Sequence, residues 1–217
     1  MRANIKDHIR SIRTERPQPD VIRTAVEILN DGGLVVYPTR CMYGLGADAR
    51  NSTAVERIFT LKRRPANKPL LVLVPDVDAL AALVQTVPPA GTRIMERFWP
   101  GKITLVFPAA ESLPAGLTAG SGKIGIRLPG HPVARALVEA FAGPLTGTSA
   151  NLSGRSGCRR IEQLPPELLQ RIDLVLDAGP LKGGVGSTVV DVTGEVPVIL
   201  REGEVTRAEI ERILPVR

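Results

Sequence analysis

The sequence predicts an α/β domain built on a mixed sheet. Three observations lead there. Short apolar runs bounded by glycine and proline alternate with stretches of helical period. The alternation is not strict, which argues against a clean doubly wound sheet. Two late runs, 188–192 and 198–201, flank Thr193-Gly194-Glu195 as the arms of a hairpin would.

The elements follow in chain order. A helix begins at Asp20, read as its N-cap, with Ile22, Ala25, Val26 and Leu29 recurring at i, i+3, i+4 and i+7. Gly32-Gly33 ends it. Residues 34–37 are a continuous apolar run, as in a buried strand, stopped by Pro38. Thr53-x-x-Glu56 reads as the capping box of a second helix, with Val55, Ile58 and Phe59 on its apolar face. That helix runs into the cationic segment Lys62-Arg63-Arg64-Pro65. Strands are expected at 70–74, 103–107, 124–127, 145–148 and 174–176, and helices at 79–84, 92–98 and 133–141. Thr206-x-x-Glu209 caps a last helix that ends near Leu214.

Composition narrows the class. With 43% hydrophobic and 23% charged residues, the 217-residue chain has enough apolar surface to offset the entropy of ordering, so chain-wide disorder is excluded. No apolar run approaches the roughly 20 residues that span a bilayer, and no apolar stretch follows the first residues as in a secretory signal. Two cysteines, Cys41 and Cys158, cannot build a disulfide framework or a four-thiolate zinc site. A cytoplasmic protein with no membrane partner is the expectation. Aromatics at 3% count against a base-stacking platform, while a net charge of +6 admits nucleic acid or nucleotide phosphates without deciding between them. The first 19 residues read as a basic N-terminal arm, and 20–217 as a single domain, because no composition break or repeat divides the rest.

Several motifs fail. Gly44-x-Gly46-x-x-Ala49 imitates a dinucleotide fingerprint, but no helix starts where the pyrophosphate would need its N-terminus. Gly120-Ser121-Gly122-Lys123 lacks the first glycine of a phosphate-binding loop, with Leu117 in its place, and Ile124 stands where Ser or Thr is required. His8 and His131 are too isolated for a metal site, so no metal ligand is assigned. His131, between Gly130 and Pro132, suits a turn or a helix entry. What survives is a set of polar residues at predicted strand ends: Thr39, the Lys62-x-Arg64 and Lys68 cluster, Arg127, Ser149 with Asn151, Ser187 and Arg201. Loops beyond strand ends are where α/β sheets bind ligands, and these side chains suit an anion with phosphates and a carboxylate. The cationic cluster taken alone fits a solvated helix end better than a ligand site.

Tyr37-Pro38-Thr39…Tyr43-Gly44-Leu45-Gly46, Lys62-x-Arg64-Pro65…Lys68-Pro69-Leu70, Phe98-Trp99-Pro100-Gly101, Arg127-x-Pro129-x-His131-Pro132 and Thr148-Ser149-Ala150-Asn151 together resemble the YrdC/Sua5 family. Ser187-Thr188-Val189-Val190-Asp191-Val192 and Leu200-Arg201-x-Gly203 continue the resemblance, which spans about residues 20–214. It implies a twisted open mixed sheet with flanking helices around a basic concave cavity, in the short form without an extra C-terminal domain. It also implies synthesis of threonylcarbamoyl-adenylate from L-threonine, bicarbonate and ATP, with pyrophosphate released and Mg²⁺ carried by the nucleotide. Transferase proteins downstream would move the group to adenosine 37 of tRNA. On that resemblance Lys62 and Arg64 are catalytic. Together with Lys68, Lys123, Ser149, Asn151 and Arg201 they bind ATP, while Thr39, Arg127 and Ser187 bind L-threonine. Two alternatives stand beside it: a tRNA or double-stranded RNA binder without catalysis, and a related carbamoyl-adenylate enzyme with another acceptor. The second is prompted by Arg40-Cys41, where the family commonly has an acidic residue and then threonine. Cys41 reads as a small loop-side filler, or as a reactive thiol if Arg40 lowers its pKa.

Overall fold

The computed structural model describes residues 8–217. Its strands are β1 (Ile9–Ser11), β2 (Val35–Pro38), β3 (Tyr43–Gly46), β4 (Leu71–Leu73), β5 (Ile103–Pro108), β6 (Lys123–Arg127), β7 (Leu145–Ser149), β8 (Leu174–Asp177), β9 (Thr188–Asp191) and β10 (Val198–Arg201). Its helices are α1 (Pro19–Asn30), α2 (Ser52–Lys62), α3 (Pro89–Phe98), α4 (Ala115–Thr118), α5 (Pro132–Phe141), α6 (Pro166–Leu169) and α7 (Arg207–Glu211), with 3₁₀ turns at Asp78–Ala82 and Ile161–Gln163. The strands form one sheet in the order β1-β8-β2-β3-β7-β4-β6-β5-β9-β10, with parallel and antiparallel pairs, and the sheet does not close on itself. The mixed, open sheet expected from the sequence is what forms.

Several local expectations are corrected. Gln18 rather than Asp20 is the N-cap of α1, because Pro19 at the first helical position has no N–H to lose and starts the helix earlier. Asn51 rather than Thr53 caps α2, its side chain accepting from Ala54 N. Pro38 closes β2 from within instead of stopping the strand before it. Tyr43–Gly46, for which no strand is expected from the sequence, is a strand antiparallel to β2. Its glycines serve close approach: a Cβ on Gly44 or Gly46 would lie 3.0 or 2.8 Å from the Tyr37 ring. Of the segment read as a basic arm, Ile9–Ser11 is an edge strand parallel to β8, while residues 1–7 lie outside the described residues. The hairpin of β9 and β10 and the Thr206/Glu209 capping box of α7 form as expected.

The two faces of the sheet are covered unequally. One face carries Val36, Tyr43, Leu45, Val72, Leu105, Phe107, Ile124 and Ile126 into a continuous core against α2, α3 and α7. The other packs Val35, Tyr37, Leu145, Leu174 and Leu176 under α1 and α5. Each such fully buried aliphatic side chain contributes about 1.5–3 kcal/mol of transfer free energy. However, α1 and α5 reach only across β8, β2 and the near ends of β7 and β4. Cross-strand partners share a face, and Gly147, Leu71, Gly125, Val106 and Asp191 run in register from β7 to β9 beyond that cover. All five are partly exposed. They pave an open trough.

Candidate active site

Alternation along β6 puts Lys123, Gly125 and Arg127 on the trough face and Ile124 and Ile126 in the core. The strand has five residues, so its ends stand ~13 Å apart. Sequence-predicted residues gather at both ends.

At the first end, α2 stops at Arg63, whose left-handed φ of 50° lets the Arg64 N–H donate back to Phe59 O at 2.9 Å. The reversal leaves Lys62 inside, 1% exposed. Its ammonium donates to Asn151 O at 2.6 Å, to Asn151 Oδ1 at 3.3 Å and to Ser149 O. An ammonium has three protons, and all three are engaged. Lys62 therefore braces the Ser149–Asn151 turn from beneath. Ser149 Oγ and Asn151 Oδ1 also hydrogen-bond each other, and Asn151 Nδ2 holds Leu152 O at 2.9 Å. Arg64 closes its own loop, Nε donating to Lys68 O at 3.1 Å and Nη2 to Pro69 O at 2.7 Å. Lys68 stays exposed. Burial first, then the Arg64 charge, push Lys62 down to about 8, and burial lowers Arg64 as well. Lys123 lies at this end, with its ammonium 2.7 Å from Asp191 on β9. Burial raises the Asp191 carboxyl, but Lys123 and Thr193 outweigh it and hold it below its ordinary value.

At the other end, Arg127 Nε donates to Gly101 O at 2.5 Å. Its terminal Nη groups have no protein acceptor among the described residues. Burial weakens its hold on the proton, opposed chiefly by the Glu204 carboxylate. Ser187 Oγ pairs with Thr104 Oγ1 at 2.9 Å, and Arg201 clasps Ser187 O at 2.7 Å through Nη2. Arg201 thus sits beside Ser187, at the opposite end of the sheet register from Ser149. The β2–β3 turn arrives from the side. Thr39 closes that turn on Met42 O, and Arg40 and Cys41 come within electrostatic reach of Arg127. Burial and then the Glu204 carboxylate raise the Cys41 thiol, so the filler reading holds over the reactive one.

A cavity of about 640 Å³ is lined by Cys41, Met42, Cys158 and Arg159 among others. Cys158 neighbours Lys62, and Cys41 neighbours Arg127. His131 is the helix-entry residue, capping α5, and burial lowers it to about 4, leaving it a neutral ring at neutral pH. No cluster of three or more metal-ligating His, Cys, Asp or Glu side chains occurs among the described residues. No described helix is long and apolar enough to cross a membrane. Sequence reasoning missed Thr104 and Glu204. Thr104 is one hydroxyl inside an apolar run, and Glu204 looks like any surface acid, so neither carried a local signal.

A family model for Sua5, YciO and YrdC proteins, described as telomere recombination, matches residues 27–203. The chain belongs to the Sua5/YciO/YrdC family. A threonylcarbamoyl-AMP synthase of Pyrococcus abyssi is 36% identical over 200 residues, 92% of this chain and 59% of that protein. One of Bacillus subtilis is 38% identical over 204 residues, 94% of this chain and 58% of that protein. This chain therefore spans about three fifths of the length of these curated relatives. The crystal structure of P. abyssi Sua5 complexed with L-threonine matches with a TM-score of 0.90 at 36% identity, covering 95% of this chain and 60% of that one. The resemblance read from the motifs and the open α/β sheet read from the strand pattern both agree with this membership.

Proposed function

We propose that this Sua5/YciO/YrdC chain makes L-threonylcarbamoyl-adenylate. In that reaction the threonine amine attacks the bicarbonate carbon and water leaves, giving a carbamate. A carbamate oxygen then attacks the α-phosphorus of ATP and displaces pyrophosphate. The observation that carries the reading is the polarity of the trough: an arginine fork with free donors at one end, and a buried lysine bracing a Ser-x-Asn turn at the other. Arg127, with Ser187 and the turn bearing Thr39, receives the carboxylate and hydroxyl of threonine. Ser149, Asn151, Arg64, Lys68 and the β6 start at Lys123 receive the nucleotide, whose Mg²⁺ arrives with it, and its α-phosphate extends along the trough to Arg201 beside Ser187. Charge builds on phosphate oxygens as pyrophosphate leaves, and fixed cations stabilise it without reorganising. Lys62 serves this chemistry by holding Ser149 and Asn151 in place. The relatives' names and the threonine-bound Sua5 structure support the same substrates. The product, a reactive mixed anhydride, is handed in the cytoplasm to transferase proteins acting on tRNA adenosine 37.

The test is pyrophosphate release with single-substrate omissions. Release should require L-threonine, bicarbonate and ATP together; equal release without threonine would sink the assignment. Arg64→Ala should lower turnover at least ~10-fold, in keeping with loss of a charge-assisted contact. Unchanged kinetics would remove the cationic cluster from the mechanism.

A further inference from the structure

Glu204 carries an unanswered acceptor. Its side chain is only 8% exposed and pairs through Oε1 with Arg40 Nη2, and Cys41 Sγ donates to the same oxygen at 3.4 Å. Oε2 is buried with no hydrogen-bond partner among the described residues. A charged oxygen left in that state costs free energy that a bound donor would restore.

The surroundings say what kind of donor. The Glu204 N–H donates to Gly186 O at 3.1 Å, which fixes the residue beside Ser187. Its carboxylate acts on Arg127, whose Nη donors are free. A cation with free donors and an anion with a free acceptor therefore lie within electrostatic reach of each other. That is the complement of an α-amino acid zwitterion. We propose that Glu204 Oε2 binds the α-amino group of the amino-acid substrate while Arg127 binds its α-carboxylate. Arg40, 44% exposed on the β2–β3 turn, keeps the carboxylate oriented by holding Oε1. The Arg40 charge thereby has a use: it steadies the acid that receives the amine. Once the bound ammonium has released one proton to water, the same contact holds the amine with its lone pair towards the carbonate carbon. The inference rests on the amino-acid pocket proposed above.

The experiment compares two ligands on two proteins by calorimetry. L-Threonine carries the amine; 3-hydroxybutanoate keeps the carboxylate and hydroxyl with hydrogen in its place. The wild-type chain should bind threonine at least ~10-fold more tightly, as a charge-assisted hydrogen bond implies. Glu204→Gln should weaken threonine by ~10- to 100-fold, weaken 3-hydroxybutanoate little, and leave ATP affinity unchanged. Equal losses for both ligands would mean that Glu204 acts only through the fold and would overturn the proposal, as would unchanged threonine affinity. If Glu204→Gln does not fold, equal affinity of the wild type for the two ligands is enough to overturn it. A wild-type chain that binds ATP but no threonine would instead remove the functional reading, and this contact with it.

Discussion

Lys62 shows how burial changes what a residue can do. From sequence it is one of several cations fit for a phosphate, yet it is 1% exposed and spends its protons on the Ser149–Asn151 turn. Lys62→Met keeps the apolar stem and leaves two carbonyls without their donor. The expected cost is about 1–3 kcal/mol in a urea titration, with weakened ATP binding because the turn is no longer held. The pH dependence has opposite signs for function and stability. Above about 8, where burial and Arg64 have pushed its pKa, Lys62 sheds a proton and one of its hydrogen bonds, so ATP affinity should decline. Over the window from about 8 to the ordinary 10.5, the unfolded chain binds the proton that the folded chain has released. The Lys62 contribution to stability is thus lowest below 8 and rises through that window. Titrations of affinity and of the urea midpoint should diverge accordingly, and both trends should vanish in Lys62→Met.

At the scale of elements, the end of β10 is tied to the start of β9 by one hydroxyl. Thr188 Oγ1 donates to Val205 O and accepts from Gly203 N at 2.9 Å and Val205 N at 3.0 Å. Gly203 itself admits no side chain, since a Cβ there would fall 2.2 Å from Gly186 O. This knot carries Ser187, Arg201 and Glu204 together. Thr188→Val keeps the shape and removes the hydroxyl, stranding two buried N–H groups. A loss of about 1–3 kcal/mol is expected in thermal or urea unfolding, together with weaker threonine binding. The long-period elements here were readable from sequence because alternation and helical period are local properties: β5, β6, β9, β10, α5 and the α7 cap all lie where the patterns put them. The short pieces were not. β1 has three residues and β3 is half glycine, and each exists because a partner strand supplies its hydrogen bonds.

For the whole molecule, the decisive feature is the incomplete cover of one sheet face. Gly125 lies on the open floor, where a Cβ would meet only Thr104 Cγ2 at 3.6 Å and Leu71 Cδ1 at 4.0 Å, ordinary contacts. A larger side chain there would project into the trough without disturbing the core. Gly125→Val should therefore unfold near the wild-type temperature, yet show impaired ATP and threonine binding. Binding at wild-type strength would place the ligands elsewhere. The candidate site was legible as residue types and as a resemblance, but its wiring was not. The sequence shows neither that Lys62 is a brace, nor that Lys123 is paired with Asp191, nor that Arg201 clasps Ser187.

By itself the sequence determined the class, the mixed sheet, most of the long elements and the family, because periodicity, turn chemistry and motif spacing are written along the chain. Only the tertiary structure decided which face stays open and which charges meet. Arg40 finds Glu204 across most of the chain, and Lys62 finds Asn151 across 89 positions. Such pairings follow from the strand order and from burial, which strips a charge of water and leaves it to whatever partners the fold supplies.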